Sequence, residues 1–272
     1  MPSEKEKARI LAGRRFIRYE DDGDDHDPSD QQLKLPQPPL VKAPMATTAI
    51  DLPKNYRDLK LNGDILDILF KRESHRVFTD APMTLLTLAY LLWATQGIKS
   101  IRGQNYATLR TVPCGGARHE FETYLIIRHV EGLEPGAYHY LPMTHQIEYL
   151  GAVNRLDERI ETSLSGQAWA ATANVVFYWS VLPYRSEWRY SAFAHRIILV
   201  DAGHVCQNLY VACESAGIGT CAVGAFDLKT SNALFGLDGE DEFVILAAPV
   251  GTVSAADKAK EDAFYAFLKN ES

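Results

Sequence analysis

From about residue 62 onward the chain alternates between the two hydrophobic periods that build an α+β core. Asp64 can cap a short apolar run, Ile65–Phe70, and Thr84 can cap a second, Leu85–Ala94, that stops before Gly97. The second run is apolar on nearly every side, which predicts a helix inside the core. Strand-like runs are expected at 121–130, 137–142 and 146–150, with Glu134-Pro135-Gly136 as turn chemistry between the first two. A helix near 153–164 leads to a strand at 174–181, and a long helix covers roughly 192–215. A strand at 218–223, a short helix at 228–235 and a strand at 242–248 follow. Residues 255–269 read as a terminal helix that docks Phe264, Tyr265 and Phe267. No repeat of solenoid period interrupts this series. The expected domain spans 51–272.

Residues 1–50 break the pattern. Arg9, Arg14, Arg15 and Arg18 run into the acidic stretch Glu20–Asp27, and Leu35–Pro44 is rich in proline. Like charges repel and proline joins neither helix nor ladder, so an extended, partly disordered leader is expected. The acidic stretch lacks the Asp-x-Asp-x-Asp-Gly order of a calcium loop and reads as a solvated charge run. The proline-rich piece is expected on the surface of its own domain or of a partner subunit.

Composition narrows the function classes. At 272 residues, with 46% hydrophobic and 23% charged positions, the chain can bury a full core without disulfides or metals. A net charge of −7 argues against nucleic acid or an anionic membrane as partner. The longest apolar helical stretch, near 192–213, is broken by His195, Arg196, Asp201 and His204, so no membrane span is expected. The first residues hold no apolar signal segment. The four cysteines form no Cys-x-x-Cys pair and read as reduced thiols, which points to the cytoplasm.

Three segments carry candidate chemistry. Arg110-Thr-Val-Pro-Cys-Gly-Gly-Ala-Arg-His119 sets two glycines before a strand, where backbone N–H groups can approach a flat or anionic ligand. By itself a Gly-Gly pair is as well explained by a turn. Lys71-Arg-Glu-Ser-His-Arg76 offers guanidinium forks and a hydroxyl for a phosphate, or simply a basic helix end. Gly217–Asp227 does not fit a dinucleotide fingerprint, because Gly217 ends a helix and the strand comes after it. Gly-x-Ser-x-Gly and His-Glu-x-x-His are absent, and no metal set is expected. His139, His145, His195 and His204 read as structural or surface residues, with His204 and Asp201 able to meet at i, i+3.

Taken in order, these segments resemble the flavin-dependent nitroreductase family, and within it the SagB-type dehydrogenases. The likeness covers about residues 62–252. It also rests on Leu91–Gly97, Val130–Tyr140 and Asp201–Leu209. The resemblance implies a central mixed or antiparallel sheet flanked by helices, a homodimer, and FMN at the subunit interface. It assigns Arg72, Ser74 and Arg76 to the phosphate, ribityl chain and pyrimidine edge. It sets Pro113, Cys114, Gly115 and Gly116 against the isoalloxazine, usually from the other subunit. Ala222, Val223, Gly224 and Ala225 would cover the ring, with a backbone N–H toward flavin N5. The implied activity is hydride transfer from NAD(P)H through N5 to a small electron-poor acceptor such as a nitroaromatic or quinone.

Three departures from the family pattern stand out. Cys114 occupies a position where relatives usually have Ser, and a thiol is the poorer donor. No basic residue follows the last core strand until Lys258, so the phosphate would rest on Arg72 and Arg76. Relatives that oxidise peptide azolines share a Lys-Tyr pair before the long helix, where this chain has Arg189-Tyr190. Arg is a poor general base, whereas Tyr190 can serve as acid or base. An azoline dehydrogenase in modified-peptide biosynthesis is therefore the alternative enzyme. A flavin-binding protein without turnover is the alternative from another class.

Overall fold

The computed structural model describes residues 2–18 and 27–269. In chain order the strands are β1 (Ala49–Asp51), β2 (Ile98–Arg102), β3 (Ala107–Arg110), β4 (Phe121–Ile127), β5 (Gly136–Leu141), β6 (Gln146–Gly151), β7 (Val175–Val181), β8 (Ile218–Thr220) and β9 (Phe243–Thr252). The helices are α1 (Glu4–Arg18), α2 (Ile65–Lys71), α3 (Leu85–Gln96), α4 (Leu156–Ser163), α5 (Tyr184–Tyr190), α6 (Ala194–Ala216), α7 (Leu228–Ala233) and α8 (Lys258–Lys269). Seven strands form one sheet in the order β1-β6-β5-β4-β7-β9-β8, with every pairing antiparallel. β2 and β3 make a separate hairpin.

Helices cover both faces of the sheet, which is why its central strands read as continuous apolar runs rather than a clean alternation. On β4, Leu125 and Ile127 join Leu88, Leu91 and Leu92 of α3 and Val205 and Leu209 of α6. Tyr124 and Ile126, one pleat away, pack with Ile160, Leu164 and Phe235 on the opposite face. The caps anticipated at Asp64 and Thr84 form, and Asp227 caps α7 in the same way. The Asp64 carboxylate accepts the Leu66 and Asp67 N–H groups, Thr84 Oγ1 accepts that of Thr87, and Asp227 accepts that of Thr230. Gly217 closes α6 with φ 66°, the left-handed conformation that glycine takes without a Cβ penalty.

The leader differs from expectation at its start. Glu4–Arg18 is a helix rather than an extended run, because good helix formers outweigh charge repulsion once Lys7–Glu4 and Arg9–Glu6 pair at i, i+3. It buries no residue. Most of the acidic stretch, positions 20–26, lies outside the described residues. The proline-rich piece runs over its own domain and is held by buried carboxylates. Glu122 accepts the Lys42 N–H at 2.9 Å, and Glu148 accepts those of Met45 and Ala46. The Lys42 ammonium pairs with Glu242. His139 bridges Glu148 at 2.7 Å and Glu122 at 3.2 Å, and Arg185 pairs with Glu122 at 2.6 Å.

Other differences are local. The strand expected at 218–223 is regular only to Thr220, and the helix expected at 153–164 starts at Leu156. α5 has no clear period in sequence, since its seven residues follow Pro183 and stop at Ser191, whose φ is 48°. α8 forms, but the side chains of Phe264, Tyr265 and Phe267 lie outside the described parts of the structure.

Candidate functional site

The long helix α6 gathers the predicted residues into two groups. The first lies near its C-terminal half. Tyr210 places its hydroxyl 2.9 Å from Ser74 Oγ and accepts the Ala222 N–H at 2.8 Å. The Arg72 guanidinium lies over the Tyr210 ring, 5.2 Å from its centroid, and that of Arg76 lies 5.8 Å from the Trp169 ring. Burial raises the Cys221 thiol, while the Arg76 charge and a hydrogen bond with Ser74 pull against it. Segments 72–76 and 221–225, some 150 residues apart in sequence, thus share one neighbourhood.

The chain enters this neighbourhood through defined contacts. α2 ends at Lys71, and the strand-like segment after it runs beside β8, with the His75 N–H donating to Thr220 O at 2.9 Å. Glu261 of α8 accepts the N–H groups of Arg76 and Val77. Of the segment 222–225, Ala222 and Val223 commit their N–H groups to Tyr210 and Ala247. Gly224 and Ala225 are exposed. A main-chain amide of this segment that is open to a ligand is therefore that of Gly224 or Ala225.

The second group sits toward the N-terminus of α6. The Gly115 N–H donates to Asp201 Oδ2 at 2.7 Å. The Cys114 thiol donates to Glu120 Oε2 at 3.2 Å and accepts the His119 N–H at 3.0 Å. Gly116 has φ 57°, and a Cβ on it would lie 2.6 Å from the Tyr190 hydroxyl and 2.7 Å from Arg189 Nε. Pro113 is exposed at the start of this loop. The loop and the Arg189–Tyr190 pair are therefore one unit, which the sequence treated separately. His204 Nδ1 lies 3.2 Å from Asp201 Oδ1, the i, i+3 contact anticipated from spacing.

Electrostatics set this group apart. Glu120 is fully buried, and burial, reinforced by the Asp201 charge, pushes its carboxyl up to about 7. Burial, with Glu120 and Asp201 behind it, pushes the Cys114 thiol far up, so the sulfur stays protonated and donates. Cys114, Glu120 and Asp201 bring three possible ligand atoms within 4.8 Å of one another, a juxtaposition no sequence motif announced. Their bonds to each other and to Gly115 account for it as a support for the loop.

Asp201 and Tyr210 are nine residues apart on α6, so the two groups meet the helix about 13 Å apart along its axis. A cavity of about 690 Å³ opens elsewhere, between Pro38–Pro44 and Leu182–Arg185. The donor set of the first group suits a phosphate-bearing ligand: two guanidiniums flank a hydroxyl, with exposed main chain at Gly224 and Ala225. Tyr210, Trp169 and Glu261 had no signal in the sequence beyond their places on helical or loop segments.

Comparison with known proteins places the chain in a family. A family model described as the nitroreductase family matches residues 69–252. A protein of Methanocaldococcus jannaschii named as a nitroreductase is 34% identical over 209 residues, covering 75% of this chain and 96% of that protein. A solved structure of a Ralstonia eutropha protein titled as a nitroreductase superposes with TM-score 0.58 at 22% identity, covering 81% of this chain and all of that one. A chain of the Escherichia coli microcin synthetase McbBCD complex superposes with TM-score 0.56 at 15% identity, covering 93% and 95%. The chain belongs to the nitroreductase family.

Proposed function

We propose that the protein is an FMN-dependent oxidoreductase acting as a homodimer, with each flavin held between the two groups of residues described above. The observation that carries this reading is the link Ser74–Tyr210–Ala222, flanked by Arg72 and Arg76, inside the family-matched region. When bound, FMN supplies two-electron chemistry between NAD(P)H and a small electron-poor acceptor. The protein's own part is binding and orientation. Arg72 and Arg76 neutralise the phosphate, Ser74 donates or accepts beside it, and the Gly224 or Ala225 amide faces the ring. The Pro113–Gly116 loop, stiffened by Cys114–Glu120 and Gly115–Asp201, meets the flavin of the partner subunit. The 13 Å offset along α6 supports that two-subunit arrangement.

The test is a visible spectrum of the purified protein and an FMN titration. A yellow protein is expected, and Arg72→Ala or Arg76→Ala weakens FMN binding about tenfold, the loss of one charge-assisted contact. A colourless protein that stays colourless with added FMN overturns the reading.

A second reading has its own support. Tyr190 stands with Arg189 against Gly116, where an azoline dehydrogenase would need a proton acceptor. Arg189 holds its proton too firmly for that task, so Tyr190 would carry it. Tyr190→Phe assayed with an azoline peptide, in parallel with NADH-linked nitro reduction, separates the two. Loss of the first activity alone favours the dehydrogenase.

A further inference from the structure

Two guanidiniums meet beside the Gly116 loop, and among the described residues no carboxylate pairs with either. Arg118 is only 4% exposed. Its Nε donates to Gly116 O at 3.1 Å and its Nη2 to Tyr106 O at 3.0 Å, both neutral carbonyls. Its plane lies 4.8 Å from the Tyr106 ring centroid and 5.5 Å from that of Trp188. Arg189 Nη1 donates to the Tyr106 hydroxyl at 2.8 Å and to Gln31 Oε1 at 3.1 Å. Arg189 Nε is buried with no hydrogen-bond partner. By contrast, Arg185, buried nearby on the same helix, is neutralised by Glu122 at 2.6 Å.

The two charges act on each other. Burial lowers the proton affinity of Arg118, and the Arg189 charge adds to that effect. The Tyr106 phenol, raised by burial, is nonetheless lowered overall by the Gln31 hydrogen bond and the Arg189 and Arg118 charges. Tyrosine hydroxyls and carbonyls are a weak answer to two neighbouring like charges, one buried and one half-buried, since an ionic group out of water is costly unless an opposite charge offsets it. An anion bound beside them would offset both charges through charge-assisted hydrogen bonds.

Arg189 and the Tyr190 hydroxyl pack directly on Gly116, within 2.7 Å of where its side chain would begin, so the guanidinium and the loop form one unit. Gln31 of the leader and Tyr106 after β2 hold the far side of the Arg189 guanidinium, so its orphan N–H is fixed in direction. We propose that Arg118 and Arg189, oriented by Tyr106 and Gln31, receive an anionic group, a carboxylate or phosphate, on the molecule that meets the Gly116 loop. This rests on the reading that the loop meets a flavin and its substrate, and it assigns that substrate a negative charge. It also gives the leader a task, because Gln31 becomes a positioning residue for Arg189.

Calorimetric titration of the purified protein with benzoate and with benzamide tests the proposal without turnover. Benzoate is expected to bind at least about tenfold more tightly, with the preference shrinking as salt rises. Arg189→Gln and Tyr106→Phe, both at half-buried positions, are expected to erase most of the preference, and so is Arg118→Gln if it folds. A parallel titration with NADPH and NADH identifies the source. A tenfold preference for NADPH that the same variants erase assigns the anion to the dinucleotide phosphate and upholds the receptor. Equal affinities within both pairs, in wild-type protein that is yellow, overturn the proposal. A colourless wild-type protein that still prefers benzoate would remove the flavin reading and leave the anion receptor in place.

Discussion

Gly116 concentrates the constraints on the loop that carries it. Its φ of 57° is unfavourable for any L side chain, and the space beyond its Cα is filled by Tyr190 and Arg189. Gly116→Ala should therefore cost at least about 1–2 kcal/mol and push Tyr190 away. A lowered urea midpoint together with a changed Tyr190 environment in tyrosine-sensitive spectra would bear this out; an unchanged midpoint would count against it. Glu120 supplies a pH prediction. Its folded-state pKa of about 7 lies above the ordinary 4.5, so the folded chain holds a proton that the unfolded chain has released across that interval. Stability is greatest below about pH 4.5 on this account, falls as pH rises toward 7, and levels off above, with a total on the order of 3 kcal/mol. Glu120→Gln, which keeps the shape without the charge, should flatten that slope and raise Tm at pH 8. Parallel Tm–pH curves for the two proteins would refute the assignment.

The leader and α6 do their work as whole segments. Positions 42–46 are tied to the sheet by Glu122, Glu148 and Glu242, which are partnered in turn by His139, Arg185 and Lys42. Removing Glu148 leaves the Met45 and Ala46 N–H groups without their acceptor and His139 with Glu122 alone, which costs on the order of 1–3 kcal/mol. Glu148→Ala should accordingly loosen this strap and open the bond after Lys42 to trypsin, while the central strands remain protected. Trypsin sensitivity equal to that of the wild type would show that the carboxylate is not what fastens it. α6 acts as a spacer: Asp201 steadies one group of site residues and Tyr210 the other. Its length and its glycine stop were readable from local pattern, because capping and periodicity involve neighbours in sequence. Its selection of contacts was not, since Ser74 lies 136 positions from Tyr210 and Gly115 lies 86 from Asp201.

For the molecule as a whole, the separation of the two groups along one helix predicts function in pairs. Size-exclusion chromatography with light scattering should report a dimer of the 30.4 kDa chain, and dilution to monomer should release FMN. A monomer that retains flavin would contradict the two-subunit site. What the chain's order of residues determined alone was everything that acts over a few positions. This includes the caps at Asp64, Thr84 and Asp227, the left-handed stop at Gly217, the apolar runs of β4, β7 and α3, and the three motifs that mark the family. The folded arrangement was needed for the rest. The Glu122–His139–Glu148 fastening, the Ser74–Tyr210 link and the meeting of Arg118 with Arg189 left no periodic trace. The physical reason is that their partners are brought close by the return of the chain across the sheet, and burial then sets their charges, neither of which a local pattern encodes.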